Sequence, residues 1–472
     1  MPMNKFLFIL LLIFSAFSVS ATTIIEGYNL EYAGKTLHFF CWADAVTQKE
    51  ELLFSIRFDN EGRFRSEVQV SKTTFVFSDF GIYRGMFFIE PDRKVELLFP
   101  PLREKAFADE KNPFFEPVSF WFNLNNDRGI NQQISSFDTQ FNQLTNQYFN
   151  QLYFRQSKAV FDTVATALNT AFPGTADPVF ETHKKLKIKM LETEAFRKKP
   201  EEVAGILSEV KPEYHTHPAF FNFLDKTFTN RLSFDAREIH GDELRKTVAS
   251  ANTSALFKHV ETNYKLKNET AALVLLKMLH DAFYSGEFGK SSILQVLRSP
   301  AFASHNSTEI RKTAANIIEK LTFLQPGSAA PVICLNDVNG NKKCSNETTN
   351  KFKYIVFADD EMMVCREHLK YLTAIHEKLG KHLEIILVMR KTDLIDMKIF
   401  LDKSQVPGIH MVDEKGLFIR QYRVRSFPTC FLLDEKHHVV FENTKAPLDG
   451  FEKQFGNFLR NELFERQRNQ GR

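Results

Sequence analysis

The sequence predicts a multidomain α+β protein. An N-terminal all-β sandwich-like domain (22–125) is followed by a central α-helical region (126–325) and a C-terminal α/β domain (326–472). Three observations lead there. Short β-rich apolar runs recur roughly every ten to twelve residues as far as Leu124, the spacing of a sandwich or barrel. At Ile130 the apolar period lengthens to three and four residues, which is helical. After Pro326 strands alternate with helices, and that alternation demands parallel strands with helical crossovers.

The first stretch, Met1–Ala21, has the parts of a secretory signal peptide. Lys5 gives the positive start, Phe6 to Phe17 an apolar run too short to span a bilayer, and Val19 and Ala21 small residues for cleavage before Thr22. No cysteine follows that point, which argues against a lipid anchor. No other apolar run is long enough for a transmembrane segment. The expected location is therefore outside the cytoplasm. A net charge of +3 supplies no broad basic field for nucleic acid. The 49 phenylalanines read as core packing. Five cysteines is an odd number, so at least one stays free or pairs outside the chain.

Strand candidates begin at Ile24 and end at Phe99, separated by turn signals such as Asp59-Asn60-Glu61-Gly62 and Glu90-Pro91-Asp92. Cys41 lies in the second of them, beside Trp42, and reads as a buried free thiol. The aromatic run Phe114–Phe122 is a last strand or a docking segment. Ile130, Ile134, Phe137, Phe141, Leu144, Tyr148 and Leu152 then form one apolar stripe. It packs on neighbouring elements, or it forms a seam with another chain, since the spacing approaches a heptad. Further helices run to about Leu324, broken at Pro173-Gly174, Pro200, Pro212 and Ser285-Gly286. His215, His217 and His240 lack a regular ligand spacing, so packing or surface roles are expected and no metal is assigned. No cofactor is implied either. Pro326 to Pro331 is a linker.

Two stretches organise the last third. Tyr354–Leu369, YIVFADDEMMVCREHL, is a buried strand entering a helix whose first turns carry Cys365. Its acidic residues Asp359 to Glu361 suit a helix N-terminus. Tyr422–Asp434, YRVRSFPTCFLLD, sets Pro428 ahead of an apolar strand. With GSAAPVICL (327–335) and DVNGNKKCS (337–345), these stretches resemble the thioredoxin fold, in its TlpA and peroxiredoxin (AhpC/TSA)-related branch. The β-rich start likewise resembles the domains ahead of TlpA-like modules in exported proteins of Gram-negative bacteria, which implies the periplasm or cell envelope of such a bacterium.

The resemblance implies a Cys-x-x-Cys motif at the start of the helix and a cis-proline opposite it. Here the motif is degenerate. With Cys365 on the second cysteine, Met362 takes the place of the nucleophile, Glu361 that of the preceding tryptophan, and Val356 that of a buried acid on the strand. A thioether cannot ionise to a thiolate. Cys365 is then either a lone reactive thiol, aided by Arg366 and His368, or a buried remnant. Cys430 follows Pro428 by two residues and points the same way along the strand, so it could approach Cys365. Cys334 and Cys344 flank Asn339-Gly340. A two-residue turn sets them on opposite faces, whereas a bulge brings them together.

Two functions follow from this reading. One is an exported binding or assembly protein whose groove, formed by Met362, Met363, Phe427, Pro428 and Thr429, takes a protein or peptide partner. The other is a thiol-disulfide oxidoreductase acting through Cys365, alone or with Cys430.

Overall fold

The computed structural model describes residues 22–112, 114–125, 129–174, 177–238, 241–347, 350–390 and 393–470. The leader-like stretch Met1–Ala21 and His240 lie outside the described residues. The chain is mixed α/β and forms two compact units. One holds the described residues up to Glu104 with Pro117–Ile317. The other holds Lys105–Glu116 with the chain from Ile318 onward.

The first unit contains strands β1 (Thr22–Tyr28), β2 (Thr36–Trp42), β3 (Glu50–Arg57), β4 (Arg63–Gln69), β5 (Thr74–Phe80), β6 (Tyr83–Ile89), β7 (Lys94–Leu98), β8 (Val118–Trp121) and β9 (Asn123–Asn125). They form two sheets, ordered β4-β1-β7-β9 and β3-β2-β5-β6-β8. Alternation along β2 and β4 turns Leu37, Phe39, Phe64 and Val68 inward, where they share a core with Ile25, Phe87 and Leu97. Strand β5 breaks the alternation because both of its faces are covered. Val76 joins the core between the sheets, while Phe75 and Phe77 face a second core.

That second core includes α2 (Ile130–Gln147); α1 (Phe107–Lys111) precedes α2 in the chain and belongs to the second unit. Ile130, Ile134 and Phe137 pack here with Phe75, Phe77 and Phe88, and Phe141, Leu144 and Tyr148 lie partly buried against the same core. Asn131 explains one of the amides on that helix. Its side chain accepts from the Phe88 N–H at 2.6 Å and donates to the Phe88 carbonyl at 2.8 Å, as a neighbouring strand would. Helix α3 (Asn268–Ser285) is buried nearly all round, as its apolar composition requires. Its inward Lys277 is answered by Asp225 at 2.7 Å and Asp281 at 2.9 Å. His215 pairs with Glu309 at 2.8 Å, and His217 caps the helix Pro218–Phe228 by accepting from the Ala219 N–H. Among the described residues no group of three or more His, Cys, Asp or Glu could hold a metal ion, and no helix is long and apolar enough to cross a membrane. Cys41 is a free, half-buried thiol.

In the second unit β10 (Cys334–Asn336) and β11 (Lys342–Cys344) form a hairpin, and β12 (Phe352–Ala358), β13 (Leu383–Arg390), β14 (Ile409–Asp413) and β15 (Thr429–Leu433) form the main sheet. Its order is β14-β13-β12-β15, with β15 antiparallel to β12 and the other pairs parallel. Three helices matter below: α4 (Met363–Leu379), α5 (Leu394–Lys403) and α6 (Phe451–Gln470). Every residue of β12 is buried. Phe352, Tyr354, Val356 and Ala358 enter the core under α4 and α6, and Ile355 and Phe357 enter the core on the opposite face. The Tyr354 ring stacks on Phe451. The chain after β15 returns beside it through two isolated bridges, Leu433 with Val439 and Cys430 with Thr444.

The first hairpin decides between the two alternatives for Cys334 and Cys344. Cys334 lies directly opposite Cys344, and the two form a disulfide with Cα atoms 4.2 Å apart. The turn is longer than two residues. Asp337 donates its N–H to the Asn341 carbonyl and accepts from the Gly340 N–H, and Gly340 adopts φ 86°. An odd number of residues between the strands restores the facing parity. Denatured without reductant, the chain should therefore show three titratable thiols, Cys41, Cys365 and Cys430, and five after reduction. Five without reductant would show the hairpin open. Replacing Cys334 and Cys344 with serine should cost about 2 kcal/mol of stability in urea denaturation.

Candidate functional site

The site is assembled where β12 ends and α4 begins. Asp359 follows the strand and is fully buried. Its carboxylate accepts from the Glu361 N–H at 3.1 Å, and its carbonyl accepts from the Met362 N–H at 3.1 Å. This tight turn leaves Met362 as the N-cap of α4, with no side-chain capping bond. Helical spacing then decides the directions. Cys365, Leu369, Leu372 and Ile375 point into the core, while Met363 and Val364 are 71% and 48% exposed. Met362 is half-buried against the same core.

Cys365 is sealed from solvent. Burial pushes its thiol up to about 11, and the charge of Asp359 acts in the same direction; a hydrogen bond from the Asp359 backbone opposes both. The acidic run is therefore the lesser cause of the shift, and desolvation the larger. The two groups expected to aid the thiol are engaged elsewhere. Arg366 donates to the Asp360 carbonyl at 2.5 Å and lies over the Phe400 ring at 5.1 Å. His368 is buried, and its Nδ1 accepts from the Leu448 N–H at 3.2 Å.

Opposite α4, the Phe427–Pro428 peptide is cis. Thr429 pairs in register with Phe357, and Cys430 with Val356, which brings the proline beside the end of β12. Thr429 donates its hydroxyl to the Ser426 carbonyl at 2.6 Å. Phe427, half-buried, packs against the cores on both faces of the sheet. Cys430 shares the core of Cys365, but both remain free thiols. Burial pushes Cys430 up to about 12, in spite of the neighbouring Tyr354 hydroxyl.

Lys111 reaches this site from far along the chain, unmarked by any local pattern. Its ammonium pairs with Asp359 and, at 2.8 Å, with Glu361. Arg390, at the end of β13, lies 3.6 Å from the same Asp359 oxygen and donates to the Glu110 carbonyl at 3.4 Å. A carboxylate without solvent requires such partners. Only the run of acids at Asp359–Glu361 hinted at a cation, and nothing local said where it would come from.

Residues 326–442 match the model of the AhpC/TSA family. Among solved structures, the thioredoxin domain of a thiol-disulfide oxidoreductase from Bacteroides vulgatus is 21% identical, covering 29% of this chain and 98% of that one, with a TM-score of 0.27. A thiol:disulfide interchange protein DsbE from Chlorobium tepidum is 26% identical, covering 25% and 85%, with a TM-score of 0.23. A thioredoxin-like protein from Bacteroides caccae is 16% identical over 56% of this chain and 95% of its own, with a TM-score of 0.32. No curated protein matches the sequence. The strand order of the main sheet, the cis-proline ahead of β15 and the match over 326–442 together make the C-terminal part of this chain a thioredoxin-like domain related to the AhpC/TSA family.

Proposed function

We propose that the chain is an exported binding or assembly protein of the cell envelope, which keeps the thioredoxin scaffold without its dithiol exchange. One observation carries the reading. The thiol that remains at the motif, Cys365, is fully buried and held protonated, and Met362 stands where the attacking sulfur would be. Thiol–disulfide exchange begins with an accessible thiolate, and neither sulfur supplies one near neutral pH.

The surface left by this change is apolar and adaptable. Met362, Met363, Phe427, Pro428 and Thr429 border the groove between the start of α4 and the start of β15, and thioethers accommodate varied side chains. The partner is a protein or peptide segment. Export rests on the leader-like stretch Met1–Ala21. The opposing reading, exchange through Cys365 with Cys430, draws on their place in one core.

Insulin reduction separates the two. The wild-type protein and Cys365→Ser should both stay at the background of the reductant, and Met362→Cys, which restores the motif, should exceed it by at least about tenfold. Wild-type activity that disappears in Cys365→Ser would sink the binding reading. Alkylation gives a second measure. A raised thiol pKa means less thiolate at neutral pH, so iodoacetamide at about pH 7.5 should modify Cys365 at least about a hundredfold more slowly in the native protein than in urea. The native rate should climb only as the pH nears the value at which this thiol ionises.

A further inference from the structure

The segment Lys105–Glu116 is held on the second unit in an unusual way. Its helix α1 buries none of its residues, and Phe107 and Phe114 are 63% and 84% exposed. Apolar packing therefore contributes little to its attachment. Among the described residues, its charged and hydrogen-bonded ties are one side chain and one carbonyl. The Lys111 stem runs inward until its ammonium is gripped by Asp359 and Glu361, leaving the side chain only 12% exposed. Arg390 takes the carbonyl of the residue just before it, Glu110, while it also faces Asp359.

That is the chemistry of peptide recognition. Two carboxylates read an ammonium, and a guanidinium fixes the backbone beside it. We propose that Asp359, Glu361 and Arg390 form a lysine-reading peptide slot, occupied in this state by the chain's own Lys111, so that residues 107–111 compete with a partner segment presenting a lysine. The slot lies on the loop that leads into Met362, which makes it a specificity subsite for the groove; in that respect it rests on the binding function proposed above. A tethered occupant has a high effective concentration and holds the slot closed to weak ligands. An occupant attached by charge, with its aromatic rings facing water, is the kind that a better partner can displace.

The test uses the full chain and a capped, fluorescein-labelled peptide copying Lys105–Asn112, followed by anisotropy. Wild-type protein should bind it at least about tenfold more weakly than Lys111→Ala, whose own strap no longer fills the slot. The same peptide carrying alanine in place of its second lysine should not bind the Lys111→Ala protein. Adding Arg390→Ala or Glu361→Gln to Lys111→Ala should weaken binding about tenfold, and two independent variants guard against misfolding of either. Equal binding by wild type and Lys111→Ala, no binding by either, or tight binding of the peptide that lacks its second lysine would each overturn the slot. So would binding abolished by Phe427→Ala but untouched by Arg390→Ala, since the peptide would then sit in the groove. The insulin assay stands apart from these outcomes, so the groove reading and the slot can fail separately.

Discussion

Burial of β12 on both faces is the constraint from which the site follows. A strand with a core on either side delivers the next residues, Asp359 and Asp360, into the protein interior instead of to its surface. A buried carboxylate is costly unless cations and N–H groups meet it. Lys111, Arg390 and the turn amide of Glu361 meet Asp359. The same turn starts α4 at Met362 and so fixes which residues of the first helical turn face in. Cys365 faces in, and Met363 faces out.

The sulfurs of this region show how position decides chemistry. Cys365 and Cys430 behave as small apolar side chains, because desolvation disfavours the thiolate more than the nearby backbone and hydroxyl groups favour it. Met362 and Met363 cannot ionise at all, and their thioethers are soft and flexible. Under the proposed function, this end of the scaffold presents a contact surface in place of a nucleophile.

Much of this was legible in the sequence. The apolar run Tyr354–Phe357, the helical spacing from Cys365 to Ile375 and Pro428 ahead of its strand each report a local requirement, and the structure has a buried strand, an inward helical face and a cis-proline there. What depends on counting across a turn was harder. Asn339-Gly340 looks like a two-residue hairpin, but Asp337 closes a longer loop through its own carboxylate, and that changed the facing of Cys334 and Cys344. What depends on distant chain was invisible. Lys111 carries no local mark of its role, and it meets Asp359 only because the fold brings the two together. The stripe on α2 could be read either as packing or as a seam, since periodicity tells which residues share a face and not what covers it.

The five-stranded sheet has one last implication. Val76 and Phe87 line the space between the two sheets, while Phe75, Phe77 and Phe88, on the same strands, hold the helical layer. Neither hydrophobic interior owns β5 and β6; they are a party wall. Stripping those strands from one side lays bare the other, so heat or denaturant should meet sandwich and helices as a single cooperative block, with no stable halfway state in which the strands persist and the helices have let go.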